Sequence, residues 1–113
     1  MAEADLRTSL ETHVELFNEA VRTGDYSAYL DTFADDAVMR FDDVPLGPYR
    51  GKTEIAQAYS THPPSDTMAL IDMEEFGTHA VRAAFEWDAG GTGVMYLRWD
   101  DGRLIELIIA VAV

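Results

Sequence analysis

The sequence predicts an α+β domain in which helices lead and an antiparallel meander follows. Three observations carry that prediction. From Leu6 to Val21 apolar residues recur at three- and four-residue spacing, the period of one helix face. Around Val44-Pro45-Leu46-Gly47-Pro48 the chain is punctuated by residues that end pairing. Beyond residue 68, glycine- and aspartate-rich turns recur at hairpin distances, which favours a meander over parallel crossovers. Helices first and strands last suit a bent, mainly antiparallel sheet with helices packed on one face.

The first helix rests on Leu6, Leu10, Val14, Phe17 and Val21, with Glu11, Glu15, Asn18 and Arg22 opposite. It should stop at Thr23-Gly24-Asp25, where Gly24 takes a left-handed cap and Asp25 caps a shorter second helix through Phe33. After Ala34-Asp35-Asp36, the alternation Ala37-Val38-Met39-Arg40-Phe41-Asp42 reads as a short strand. Tyr49-Arg50-Gly51 reads as a hairpin arm. A third helix is expected over 53–60, where Ile55, Ala58 and Tyr59 share a face, and His62-Pro63-Pro64-Ser65-Asp66 follows as a rigid loop. Long strands are expected at about 68–75, 79–87, 93–99 and 103–113. Gly77, Asp88-Ala89-Gly90-Gly91 and Asp100-Asp101-Gly102 separate them.

A length of 113 residues suits one domain spanning 1–113, and 48% hydrophobic against 26% charged residues provides for one core. The net charge of −13 repels phosphate backbones and anionic lipid, so neither nucleic acid nor membrane is expected as a partner. The absence of cysteine excludes disulfides and thiolate chemistry and is compatible with a reducing compartment. Met1-Ala2-Glu3-Ala4-Asp5 has no apolar signal-peptide core, and no window reaches membrane-spanning length, so a cytoplasmic location is expected. No metal spacing, no serine-histidine-acid arrangement and no cofactor motif is recognisable, and none of these is expected.

The block Gly24-Asp25-Tyr26 through Phe33-Ala34-Asp35-Asp36-Ala37-Val38, with Gly51 and a third helix ending in Ala58-Tyr59, resembles the SnoaL-like and ketosteroid-isomerase-like branch of the nuclear-transport-factor-2-like superfamily. The likeness spans nearly the whole chain. It implies a cone-shaped, cystatin-like domain: a curved sheet, three helices from the first half of the chain on its concave face, and a cavity between them. It is similar to bacterial polyketide- and steroid-modifying proteins, which pair as homodimers through their convex sheet faces. Ketosteroid isomerases join an aspartate base to an oxyanion hole of tyrosine and protonated aspartic acid. Here the resemblance puts Phe17 and Met95 at the two oxyanion positions and Phe41 at the base. Losing one such donor costs about 10²- to 10³-fold in rate, so steroid isomerisation by that route is disfavoured. Tyr59 matches a tyrosine that supports the oxyanion hole.

With the concave side set by the resemblance, alternation turns Met39 and Phe41 inward from the first strand and His79, Val81, Phe85 and Trp87 from the next long one. Met95, Leu97 and Trp99 follow, then Leu107 and Ile109, with Phe17 above from the first helix. These residues form either a ligand wall or a filled core. The opposite face carries Arg82, Glu86, Tyr96, Arg98 and Glu106, the pattern of cross-strand pairs on a dimer surface. His13 and His62 are read as ordinary surface or core histidines, His13 near the cavity mouth.

Asp42 and Asp43 lie where the first strand leaves the cone. Parity with Met39 and Phe41 favours Asp43, while a single-residue bulge would aim Asp42 inward. Either carboxyl, desolvated by aromatic walls, would serve as a general acid or base, with Tyr59 as hydrogen-bond donor. Two function classes follow. One is a cofactor-free isomerase, cyclase or hydratase acting on a small hydrophobic carbonyl or polycyclic compound. The other is a dimeric module that holds such a molecule unchanged or fills its cavity with side chains.

Overall fold

Asp5 opens the first helix by accepting the Thr8 N–H at 2.7 Å, and Gly24, at φ 80°, closes it with its N–H on the Ala20 carbonyl. This helix, α1 (Leu6–Thr23), leads an architecture taken from a computed structural model, which describes residues 5–42 and 47–111. Its buried stripe is Leu10, His13, Val14, Phe17 and Ala20, rotated from the expected one so that His13 and Ala20 face the core.

Asp25 accepts both the N–H and the hydroxyl of Ser27, starting α2 (Ser27–Leu30). This helix stops earlier than expected. Phe33 already belongs to the first strand, β1 (Phe33–Phe41), and is paired with Leu104. A register shift between Phe33 and Val38 accommodates the polar Ala34-Asp35-Asp36 stretch, so β1 begins before the expected start at Ala37. A two-residue arm, β2 (Tyr49–Arg50), pairs with β1 and leads into α3 (Lys52–Thr61), which buries Ile55 and Tyr59.

The meander follows as β3 (Met68–Phe76), β4 (Ala80–Trp87), β5 (Thr92–Asp100) and β6 (Arg103–Val111). The sheet has six strands in the order β2-β1-β6-β5-β4-β3, antiparallel except where β1 runs parallel to β6. Further register shifts at Leu70/Asp72 and Arg98/Trp99 bend it, as extra residues on one strand do. The Asn18 side chain joins α1 to the start of β3. It donates to the Met68 carbonyl at 2.8 Å and accepts the Met68 N–H at 2.9 Å, pairing as another strand would.

One face of this curved sheet packs under the helices and holds the buried core, including Met39, Val81, Phe85, Met95, Leu97 and Leu107. The other face carries the Arg98–Glu106 pair at 3.5 Å and Tyr96, 39% exposed. Among the described residues, no helix is long and apolar enough to cross a membrane. His79 departs from the expected inward row: it lies in the turn before β4 and is exposed, because the strand begins one residue later at Ala80.

Candidate functional site

Between α1 and the concave sheet face lies a cavity of about 80 Å³ with an almost wholly apolar wall. Phe17 enters it from α1, Phe41 from the end of β1, Phe85 and Trp87 from β4, Met95 from β5, and Leu107 and Ile109 from β6. The two-residue pleat explains the paired contributions of β4 and β6. Phe85 and Trp87 meet edge to face at 5.1 Å, and Phe17 faces Trp87 at 6.3 Å. Gly93 makes room for this cluster, since a Cβ there would sit 2.5 Å from Phe85 Cζ.

The polar groups of the wall come from the helices. Tyr29 on α2 and Tyr59 on α3 bring their hydroxyls to 2.7 Å, and Tyr26 stacks on Tyr59 at 5.1 Å. Burial raises the pKa of both cavity phenols, Tyr29 the more strongly with the neighbouring Tyr59 adding to it, so both stay protonated. In such a pair one hydroxyl donates and the other accepts. The accepting oxygen therefore keeps an O–H that the pair itself does not use.

His13 lies beside Tyr29, ring centroids 5.1 Å apart, and is only 5% exposed. Its Nδ1 is sealed from solvent and has no hydrogen-bond partner among the described residues. Burial lowers its pKa from 6.5 to about 4, so the ring is neutral at pH 7. A buried unsatisfied nitrogen costs about 1–3 kcal/mol, which sets His13 apart from the mutually bonded tyrosine pair. The ring also borders a second space, a cleft of about 200 Å³ formed by the start of α1, Thr32 and the β5–β6 turn.

The family description "SnoaL-like domain" matches residues 14–107. The chain belongs to the SnoaL-like family. Solved structures agree with the curved-sheet architecture. A Sphaerobacter thermophilus protein is 23% identical, with 98% of this chain and 99% of that chain covered at a TM-score of 0.75. A Methylobium petroleophilum protein with a cystatin-like fold is 16% identical, with 98% and 80% covered and a TM-score of 0.72. A Mycobacterium tuberculosis protein in complex with estradiol-17beta-hemisuccinate is 18% identical, with 89% and 92% covered and a TM-score of 0.69. No curated protein matches. At these identities the likeness is one of fold.

In this SnoaL-like chain Phe17, Phe41 and Met95, the three residues expected from the resemblance to replace isomerase catalytic groups, all border the cavity with apolar side chains. Met39, Val81 and Leu97 are buried in the core outside the lining, and Trp99 borders the second cleft instead. The bulge at Arg98/Trp99 breaks the simple alternation that would have placed Trp99 in the cavity. Asp42 is exposed, and its N–H bonds the Ile109 carbonyl at 3.0 Å. Asp43 lies outside the described residues.

His13, Tyr29, Pro64 and Met68 complete the wall and were not among the expected lining residues. His13 had a readable signal: it lies three residues after Leu10 and four before Phe17, on the same helix face. Tyr29 had none, because its partner Tyr59 is thirty residues away in sequence.

Proposed function

We propose that this SnoaL-like chain is a small-molecule pocket protein whose ligand is compact, largely apolar and carries an oxygen near the Tyr29–Tyr59 pair. The observation that carries this reading is the apolar cavity backed by two protonated phenols with an O–H to spare. The Mycobacterium tuberculosis neighbour holds estradiol-17beta-hemisuccinate, whereas about 80 Å³ here argues for a smaller molecule. Trp87 offers a direct test. The sequence has two tryptophans, so Trp99→Phe leaves Trp87 as the sole indole reporter at the cavity. Propylbenzene and 4-propylphenol are expected to change its emission and raise the melting temperature. Ile109→Phe, which fills the cavity, is expected to abolish both responses. A Trp87 signal indifferent to both compounds would sink the reading.

A catalytic version has Asp43 or Asp42 as base and Tyr59 as donor in cofactor-free proton transfer on a small carbonyl compound. Phe41 at the cavity supports it, because the strand leaves the wall just before these two aspartates. Full turnover of a discovered substrate by Asp42→Asn, Asp43→Asn and the double variant would remove this version and leave binding intact.

In the same proposal the protein is a cytoplasmic single domain over 1–113, and two copies pair through the outer sheet face. Exposed Tyr96 beside the Arg98–Glu106 pair supports that surface. Sedimentation as a monomer at micromolar concentration would overturn the dimer.

A further inference from the structure

Among the described residues, His13 is the one side chain common to the linings of two spaces: the apolar cavity of about 80 Å³ and the cleft of about 200 Å³. The cleft is of different character, with Thr8, Ser9, Thr12 and Thr32 around Trp99. Alone, the inner cavity is smaller than an apolar cavity of about 150 Å³ that accepts benzene. Taken together, the two spaces approach the lower end of small-molecule pockets, roughly 300 Å³. The divider is a ring whose Nδ1 no protein group among the described residues engages. Packing against Tyr29 and Phe33 places it, with ring centroids at 5.1 and 6.3 Å.

Charge narrows the ligand. No Asp, Glu, Lys or Arg among the described residues lines either space. An anionic or cationic head would therefore be desolvated without a counter-charge, and an anion would also meet the net charge of −13. Neutral imidazole has one N–H donor and one nitrogen acceptor, so it serves a carbonyl, an alcohol or a phenol.

We infer that His13 divides one bipartite binding site for a neutral amphiphile, with an apolar ring or chain in the inner cavity and a hydroxyl or carbonyl head on His13, facing the outer hydroxyl-lined cleft. The inference rests on the pocket reading above and adds the polar partner and the ligand class. The head satisfies the nitrogen that has no partner among the described residues, and displacement of the ring joins the two spaces.

The test uses ¹⁵N-labelled full chain with three probes of similar length: 4-propylphenol, propylbenzene and 3-phenylpropionate. 4-Propylphenol should bind about five- to tenfold more tightly than propylbenzene, the effect of one net hydrogen bond. It should also move the imidazole ¹⁵N resonances of His13, assigned by their loss in His13→Phe. That variant keeps an aromatic divider without nitrogen and should lose most of the preference for the phenol. 3-Phenylpropionate should bind more weakly than the phenol. Equal affinity of the wild type for phenol and hydrocarbon, unmoved His13 resonances, preserved discrimination in His13→Phe, or tighter binding of the carboxylate each overturns the inference. In the first of these outcomes the hydrocarbon still binds and the pocket reading survives. If no probe binds at millimolar concentration, both fall. Should His13→Phe fail to fold, the wild-type affinities and the ¹⁵N shifts, assigned with His13→Asn, decide the matter.

Discussion

On the outer face of the sheet, Arg98 and Glu106 meet across neighbouring strands at 3.5 Å with side chains still partly in water. Beneath the inner face, Tyr29, Tyr59 and His13 are buried with few partners to choose from. Outside, water replaces a lost partner, so pairing carries little energy. Inside, each polar atom must be paired by the protein or by whatever enters the cavity. The tyrosines hold each other through one hydrogen bond and keep one O–H over, whereas the His13 Nδ1 has no partner among the described residues. The contrast separates polar groups that water can satisfy from those that a ligand can.

The sharpest break in this contrast should come from acid. The folded imidazole takes up its proton only near pH 4, whereas an unfolded one does so near 6.5. Between those values the unfolded state binds the additional proton, so stability falls as pH drops through this window and is restored as pH rises. The full effect is about 3 kcal/mol at about 1.4 kcal/mol per unit. Denaturant unfolding of wild type and His13→Phe at pH 7 and pH 4 isolates it from the carboxylates common to both. The wild type is expected to lose more stability on acidification. Equal losses would mean that His13 is not buried as a neutral ring.

The next effect belongs to the tyrosine pair. Tyr29→Phe or Tyr59→Phe alone strands a buried hydroxyl and should destabilise by about 1–3 kcal/mol, while the double change should cost less than the sum of the singles. Urea unfolding of the four proteins of this cycle measures the coupling. Strict additivity would show that the 2.7 Å contact contributes nothing.

Outside, Glu106→Ala should change stability by no more than about 1 kcal/mol, and added salt should erase most of that difference. Thermal melts at low and high ionic strength check this. A larger, salt-resistant loss would place Glu106 in a buried interface instead, and would favour the dimer.

These contrasts also mark what could be read in advance. The α1 period, the glycine cap and the hairpin turns follow from local patterns of period and turn chemistry, and the inward row of Phe85, Trp87, Met95, Leu107 and Ile109 follows from alternation once the resemblance sets the concave side. His79 was misplaced because it falls in the turn one residue before β4, where strand alternation no longer sets the direction of a side chain. Trp99 was misplaced because a bulge resets parity and leaves no local mark in the sequence.

The sequence by itself determined that helices precede a meander and that aromatic and aliphatic residues alternate with polar ones along the strands. Period and side-chain chemistry are properties of neighbouring residues. Only the tertiary structure decided that β1 runs parallel to the distant β6, that Tyr29 meets Tyr59, and that His13 is buried between two spaces with a nitrogen that has no partner among the described residues. Whether a polar atom is paired depends on which distant groups folding brings within about 3 Å, and no local pattern encodes that distance.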